Sequence, residues 1–165
     1  MPVSTPRRLP WRALLALPLM VAALAALPVL ASAPAQATSE VRLDRIDRAV
    51  TIAVRQIGDG YRYGAAGPRR FDCSGLLKFS YRKAGFERVP RTSDAQARWG
   101  HRVKKSNLRR GDLMFFHDGG NVYHAAIFLK RAKHGAVVML DSQRPGTTVH
   151  RRHPWTGEWF GRSLR

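Results

Sequence analysis

Cysteine is almost missing from this chain: Cys73 stands alone among 165 residues. One thiol excludes an internal disulfide and any zinc framework built on several cysteines. Acids are scarce too, with 11 Asp and Glu against 29 Lys and Arg, for a formal net charge of +18. The 6 His show no H-E-x-x-H or similar ligand spacing, so neither a metal nor another cofactor is expected. There are no repeats and no low-complexity tract outside the N-terminal segment. No basic-aromatic motif of the RNA-recognition type appears, so the positive charge is not read as nucleic-acid binding. Long apolar runs are absent after the first 37 residues.

The one long apolar run sits at the start. Arg7, Arg8 and Arg12 precede it without a single acid, and it extends from Ala13 to about Ala33, interrupted by Pro18 and Pro28. It leads into Ala35-Gln36-Ala37, a small-residue exit of A-x-A type. This order reads as a secretory signal peptide over residues 1–37, leaving a single domain over 38–165 and no stable membrane anchor after cleavage. Arg7-Arg8 hints at twin-arginine export, and no Cys near the exit supports lipid attachment. Removing three basic residues leaves 26 against 11 acids, about +15. Such a surface is drawn to polyanions, which for an exported protein are wall teichoic acids and other anionic cell-wall polymers, acidic glycans or anionic lipid. A lone thiol outside the cell is open to oxidation, so it is either buried and inert or reactive.

Further along, Ile46, Ala49, Val50, Ala53, Val54 and Ile57 share one face of a predicted helix over Val41–Ile57. A loop rich in Gly, Ala and Pro follows. Asp72 then caps a helix that opens on Cys73 and ends at Gly85. Ser93 and Gln96 have the spacing of a capping box for a short helix. Beyond it the pattern turns to strands at Leu113–Phe116, Val122–Leu129 and Ala136–Leu140, with Thr147–Val149 as a possible fourth. Helices first and an antiparallel sheet afterwards is an α+β arrangement. The segment from His150 to Arg165, with Trp155, Trp159 and Phe160, either closes the core or contacts substrate, and its aromatics fit the core better.

A thiol attacks a carbonyl only as thiolate, which a helix N-terminus and a nearby imidazolium both favour. Cys73 has the first by position. His101, His134, His150 and His153 lie in basic or turn segments, and His117 ends a strand. His124 is embedded in the apolar run Val122–Phe128. An imidazole there is more often a satisfied core residue than a catalyst, unless the fold turns it toward the thiol.

Tyr61-Arg62-Tyr63-Gly64, Phe71-Asp72-Cys73-Ser74-Gly75-Leu76, Pro90-Arg91-Thr92-Ser93 with Gln96, Leu108–Leu113 with Phe115-Phe116, and His124–Ile127 occur in that order. Together, from about Val50 to Gly146, they resemble the NlpC-type cell-wall endopeptidases. The resemblance implies a papain-like α+β fold, with the nucleophile at a helix N-terminus packed on a C-terminal antiparallel sheet. It implies hydrolysis of γ-D-glutamyl-diaminopimelate or similar bonds in peptidoglycan stem peptides by a monomer. Cys73 matches the nucleophile and His124 the base. Asp141 falls where a third polar residue, often His, orients the imidazole; as a carboxylate it departs from the commonest pattern. Tyr61 matches a tyrosine beside the nucleophile, suited to the oxyanion. Asp72, Ser74, Arg91 and Ser93 are carried over as substrate contacts, although Asp72 and Ser93 also serve as caps. Gly64-Ala65-Ala66 replaces a common double glycine. Two other readings stay open: an amidase or acyl transferase on the same scaffold, and a cationic wall-binding protein without activity.

Overall fold

The computed structural model describes Met1 and residues 33–165, with side chains described from Gln36 onward. The apolar run and most of the export-signal reading lie outside the described residues. Helix α1 spans Ala33–Val54. It starts earlier than the predicted Val41 and stops before Ile57, which is 40% exposed beyond the helix end. Only its second half carries a buried stripe, made by Ile46, Ala49, Val50 and Ala53, because these recur at three- and four-residue spacing. Every residue from Gln36 to Arg45 is exposed.

Helix α2, Cys73–Lys83, packs against α1 and against the sheet. Leu76, Leu77 and Tyr81 form its buried face, and Gly85, at φ 99°, ends it in the left-handed conformation that glycine adopts without a Cβ penalty. Two short parallel strands, β1 (Gly60–Tyr61) and β2 (Arg70–Phe71), bracket the loop before α2. Helix α3, Ser93–Gln96, is capped by Thr92, whose side chain accepts from the Ala95 amide at 3.3 Å. The capping-box expectation is therefore corrected. Gln96 does not turn back to the helix start; it is wholly buried and donates to the carbonyls of Ser74 and Pro90, both at 2.9 Å.

The sheet has six antiparallel strands in the order β3-β8-β4-β5-β6-β7. These are β3 His101–Val103, β4 Leu113–Asp118, β5 Asn121–Arg131, β6 Val137–Asp141, β7 His150–Arg152 and β8 Trp159–Ser163. The three predicted runs are β4, β5 and β6. The possible strand at Thr147–Val149 forms three residues later as β7. The segment before it instead ties the Tyr61 loop to the sheet, through Tyr61 N to Thr147 O at 2.9 Å and Gly58 N to Val149 O at 3.0 Å. Strand β8 was not foreseen, yet it lies between β3 and β4. Its Gly161 admits Leu108 and Val103, whose side chains lie 2.7 and 2.9 Å from where a Cβ would stand. A Trp-Phe-Gly-Arg-Ser stretch lacks the apolar run that marks a buried strand.

Side chains alternate across the sheet. Leu113, Phe115, Ala125, Ile127 and Leu140 join the core beneath the helices, while Met114, Phe116, Ala126, Phe128, Met139 and Trp159 form a second cluster. Among the described residues no helix is long and apolar enough to cross a membrane.

Candidate active site

Asp72 sits in extended backbone at φ −93° and ψ 178°, and its Oδ1 accepts from the Gly75 amide at 2.6 Å. That cap starts α2 at Cys73 and aims the first-turn N–H groups, which have no intrahelical partner, past the thiol. The loop Gly64–Ala66 closes over this start: Asp72 N donates to Ala65 O at 2.9 Å, and Gly64 N to Asp72 Oδ2 at 2.9 Å. A Cβ on Gly75 would lie 2.0 Å from Ala65 O, so only glycine lets the loop approach so closely. Cys73 is half-buried.

Asp72 is 6% exposed and does more than cap. Arg91 grips both its oxygens, Nη2 to Oδ2 at 2.6 Å and Nη1 to Oδ1 at 3.1 Å, and Nη1 also reaches Ser74 Oγ at 3.0 Å. Ser74 Oγ in turn donates to Asp72 Oδ1 at 3.2 Å. Both terminal nitrogens of Arg91 are thus engaged within the protein. Ser93 Oγ donates to Val122 O at 3.3 Å, linking α3 to the strand that carries His124.

His124 and Asp141 come from the adjacent strands β5 and β6. His124 Nε2 stands 2.8 Å from Asp141 Oδ2, and the two residues are 4% and 0% exposed. The thiol of Cys73 is close enough to the imidazole to act on its titration. Burial alone would lower the His124 pKa, but the bonds to Asp141 and Cys73 outweigh it and raise it to about 9. Tyr61 lies near this thiol. Its phenol is pushed up by burial and then by the negative charge of Cys73 and Asp72, so it stays protonated and able to donate.

Two neighbours of this trio were not singled out in the sequence. Trp155, for which the sequence favours core packing and leaves substrate contact open, is 44% exposed; its ring lies 5.2 Å from that of His124. Arg152 places Nε 3.2 Å from Asp141 Oδ1. Both sit in a basic stretch with no pattern of its own, and only the return of the chain along β6 brings them to the site. Trp159, by contrast, is core, at 7% exposure. Beside Trp155 a cleft of about 620 Å³ is lined by His117, Asp118, Asn121, Tyr123, Thr156 and Glu158. Among the described residues no group of His, Cys, Asp and Glu is placed to hold a metal ion.

A half-buried thiol at a helix start, beside an imidazole that is bonded to a carboxylate, can perform nucleophilic acyl transfer. The sequence profile of the NlpC/P60 family matches residues 58–163. The chain belongs to the NlpC/P60 family. It is 37% identical over 131 residues to a probable endopeptidase of Corynebacterium glutamicum, an alignment covering 79% of this chain and 56% of that one. It is 34% identical over 112 residues to the probable endopeptidase p60 of Listeria monocytogenes, covering 68% of this chain and 21% of the relative. The chain thus spans about half of the first relative's length and about a fifth of the second's.

Among solved structures, it is similar to the NlpC/p60 domain of the peptidoglycan hydrolase SagA, with a TM-score of 0.63 and 28% identity, covering 72% of this chain and 98% of that domain. The NlpC/P60 domain of this chain therefore has the papain-like α+β architecture of these proteins. The fold is shared by RipD of Mycobacterium tuberculosis, a non-catalytic NlpC/p60 domain protein, at a TM-score of 0.61 and 24% identity over 73% of this chain and 98% of that one.

Proposed function

We propose that this NlpC/P60 protein is a secreted cysteine endopeptidase that hydrolyses peptidoglycan stem peptides at a γ-D-glutamyl-diaminopimelate type of bond. The observation that supports the reading is the imidazole of His124, bonded to the Asp141 carboxylate and raised in pKa by Asp141 and by the nearby Cys73 thiol. Cys73 as thiolate, paired with the His124 imidazolium, adds to the scissile carbonyl. The oxyanion is met by the Cys73 backbone N–H and the Tyr61 hydroxyl. His124 gives its proton to the leaving amine, and the C–N bond breaks to leave a thioester on Cys73. Water, deprotonated by His124, then cleaves the thioester and restores the thiol.

Asp72, Ser74, Arg91 and Ser93 frame the side of the substrate that stays on the enzyme as the thioester. Because Arg91 is held by Asp72 and Ser74, this edge offers a fixed set of dipoles more than a free cation for a stem-peptide carboxylate. The leaving side lies toward His124, which protonates it, and hence toward Trp155 and the cleft beyond.

Export with removal of residues 1–37 completes the reading. Cutting after Ala37 takes nothing from the buried stripe of α1, which begins at Ile46. The basic surface then holds the enzyme on anionic wall polymers. The test is digestion of purified peptidoglycan by the wild-type protein and by Cys73→Ala, with products read by mass spectrometry. Fragments from the wild type only establish the peptidase, and their masses name the bond. Equal release by both, or wall binding with no release by either, rejects it.

A further inference from the structure

Asp141 is wholly buried, and a carboxylate taken out of water needs hydrogen bonds and an opposite charge around it to replace its lost hydration. Its Oδ2 is occupied by His124. Its Oδ1 has no hydrogen bond among the described residues; the atom that faces it is Arg152 Nε at 3.2 Å, which likewise lacks a well-directed acceptor. The two form an ion pair by distance, without the alignment of a hydrogen bond.

Arg152 is not a surface arginine that happens to pass by. Its side chain is only 20% exposed and is fixed at every other edge. Nη1 donates to Gln143 Oε1, and Nη2 lies 2.6 Å from His150 Nε2. The guanidinium carbon stands 5.8 Å from the centre of the Trp155 ring. The other ring nitrogen of His150 lies 2.6 Å from Thr148 O, so its proton sits on Nδ1 and Nε2 accepts from the arginine. Around the carboxylate, β5 contributes His124, with Cys73 of α2 behind it, and β7 contributes His150 and Arg152. Arg152 is the one permanent cation in this set.

We propose that Arg152 is a positioning residue for the Cys73–His124–Asp141 set, pairing with Oδ1 of Asp141 so that Oδ2 stays turned to His124. The inference rests on the peptidase reading above. A neutral residue at position 141 would need no counter-charge. A buried carboxylate there does, and β7 supplies it from the strand next to β6. Arg152 acts through Asp141 and touches neither the thiol nor the scissile bond.

Cys73 is the only thiol in the chain, so its alkylation by iodoacetamide reports thiolate formation at this site without any need for turnover. The rate is to be followed from pH 4 to pH 8 for wild type, R152Q, R152K, D141H and D141H/R152Q, with melting curves for each. In R152Q the pH at which the thiolate appears moves upward by about one unit, because a displaced Asp141 no longer supports the imidazolium. R152K restores part of the shift, since a lysine keeps the charge and cannot hold His150 and Gln143 together. In the D141H background the arginine change moves the profile by less than about 0.3 unit, as expected for a residue that acts through position 141.

A shift of equal size in both backgrounds overturns the proposal in favour of a general field effect, and an unchanged R152Q profile overturns it outright. If R152Q does not fold, the R152K profile compared in the two backgrounds decides on the same criterion. Loss of peptidoglycan digestion with these profiles intact would count against the peptidase reading and leave this inference standing.

Discussion

Trp155 lies flat on Phe116, with ring centroids 4.4 Å apart and planes 9° from parallel. The stack holds a partly exposed indole 5.2 Å from the imidazole of His124. Trp155→Ala should lower kcat/KM by about tenfold or more, equivalent to about 1.4 kcal/mol of transition-state stabilisation. Melting temperature should fall by no more than a few degrees, because the side chain is half exposed. Steady-state kinetics on a stem-peptide substrate, read beside a melting curve, checks this. A loss of activity that merely follows a loss of folded protein would contradict it.

The imidazole of His124 has a clear pH signature. Burial lowers its pKa, yet Asp141 and Cys73 raise it to about 9, above the ordinary histidine value of 6.5. The folded state therefore holds this proton more tightly than the unfolded chain does. The resulting stability is fully present below pH 6.5 and is lost as pH rises through about 9. Activity that depends on the imidazolium should fall over the same alkaline range. Melting temperatures of wild type and His124→Gln between pH 6 and pH 10 should converge toward the alkaline end. Parallel curves would show that His124 carries no such shift.

Gly75 is bound to its place by a backbone atom. The Cβ of an alanine would stand 2.0 Å from Ala65 O, so the loop or the first turn of α2 must move. Gly75→Ala is expected to destabilise the protein by about 3 kcal/mol or more, in spite of alanine's better helix propensity. Urea unfolding measures it. A variant as stable as wild type would mean that the loop yields freely.

The basic surface predicts a salt response. With the N-terminal 37 residues removed the protein carries about +15. Exposed charges act over about 10 Å at 0.1 M salt and only about 3 Å at 1 M. Sedimentation with purified cell walls should show association falling steeply through a few hundred millimolar NaCl. Association unchanged at 1 M would assign wall binding to something other than charge.

Much of this protein is legible from local pattern, because the forces involved act over a few residues. The stripe from Ile46 to Ala53 marks α1, Asp72 followed by Cys73 and Gly75 marks the start of α2, and the apolar runs mark β4, β5 and β6. A cap and its amide lie three residues apart, and a buried face repeats with the period of its element. Cys73, His124 and Asp141 were nominated by such features together with an ordered set of motifs. Where local pattern failed, a distant partner had taken over: Gln96 bonds to Ser74 and Pro90 across the helix junction instead of capping its own helix.

The sequence by itself determined the α+β class, the single thiol at a helix start and the excess of positive charge. Tertiary structure decided what meets what. It set β8 between β3 and β4, a placement that depends on Gly161 having no side chain in a crowded position. It closed Arg91 onto Asp72, and it carried Arg152 and Trp155 from an unremarkable basic stretch to the back and side of His124. Those contacts join residues far apart in the chain. They are fixed by strand order and by the balance of charge inside a buried site, which no short stretch of residues encodes.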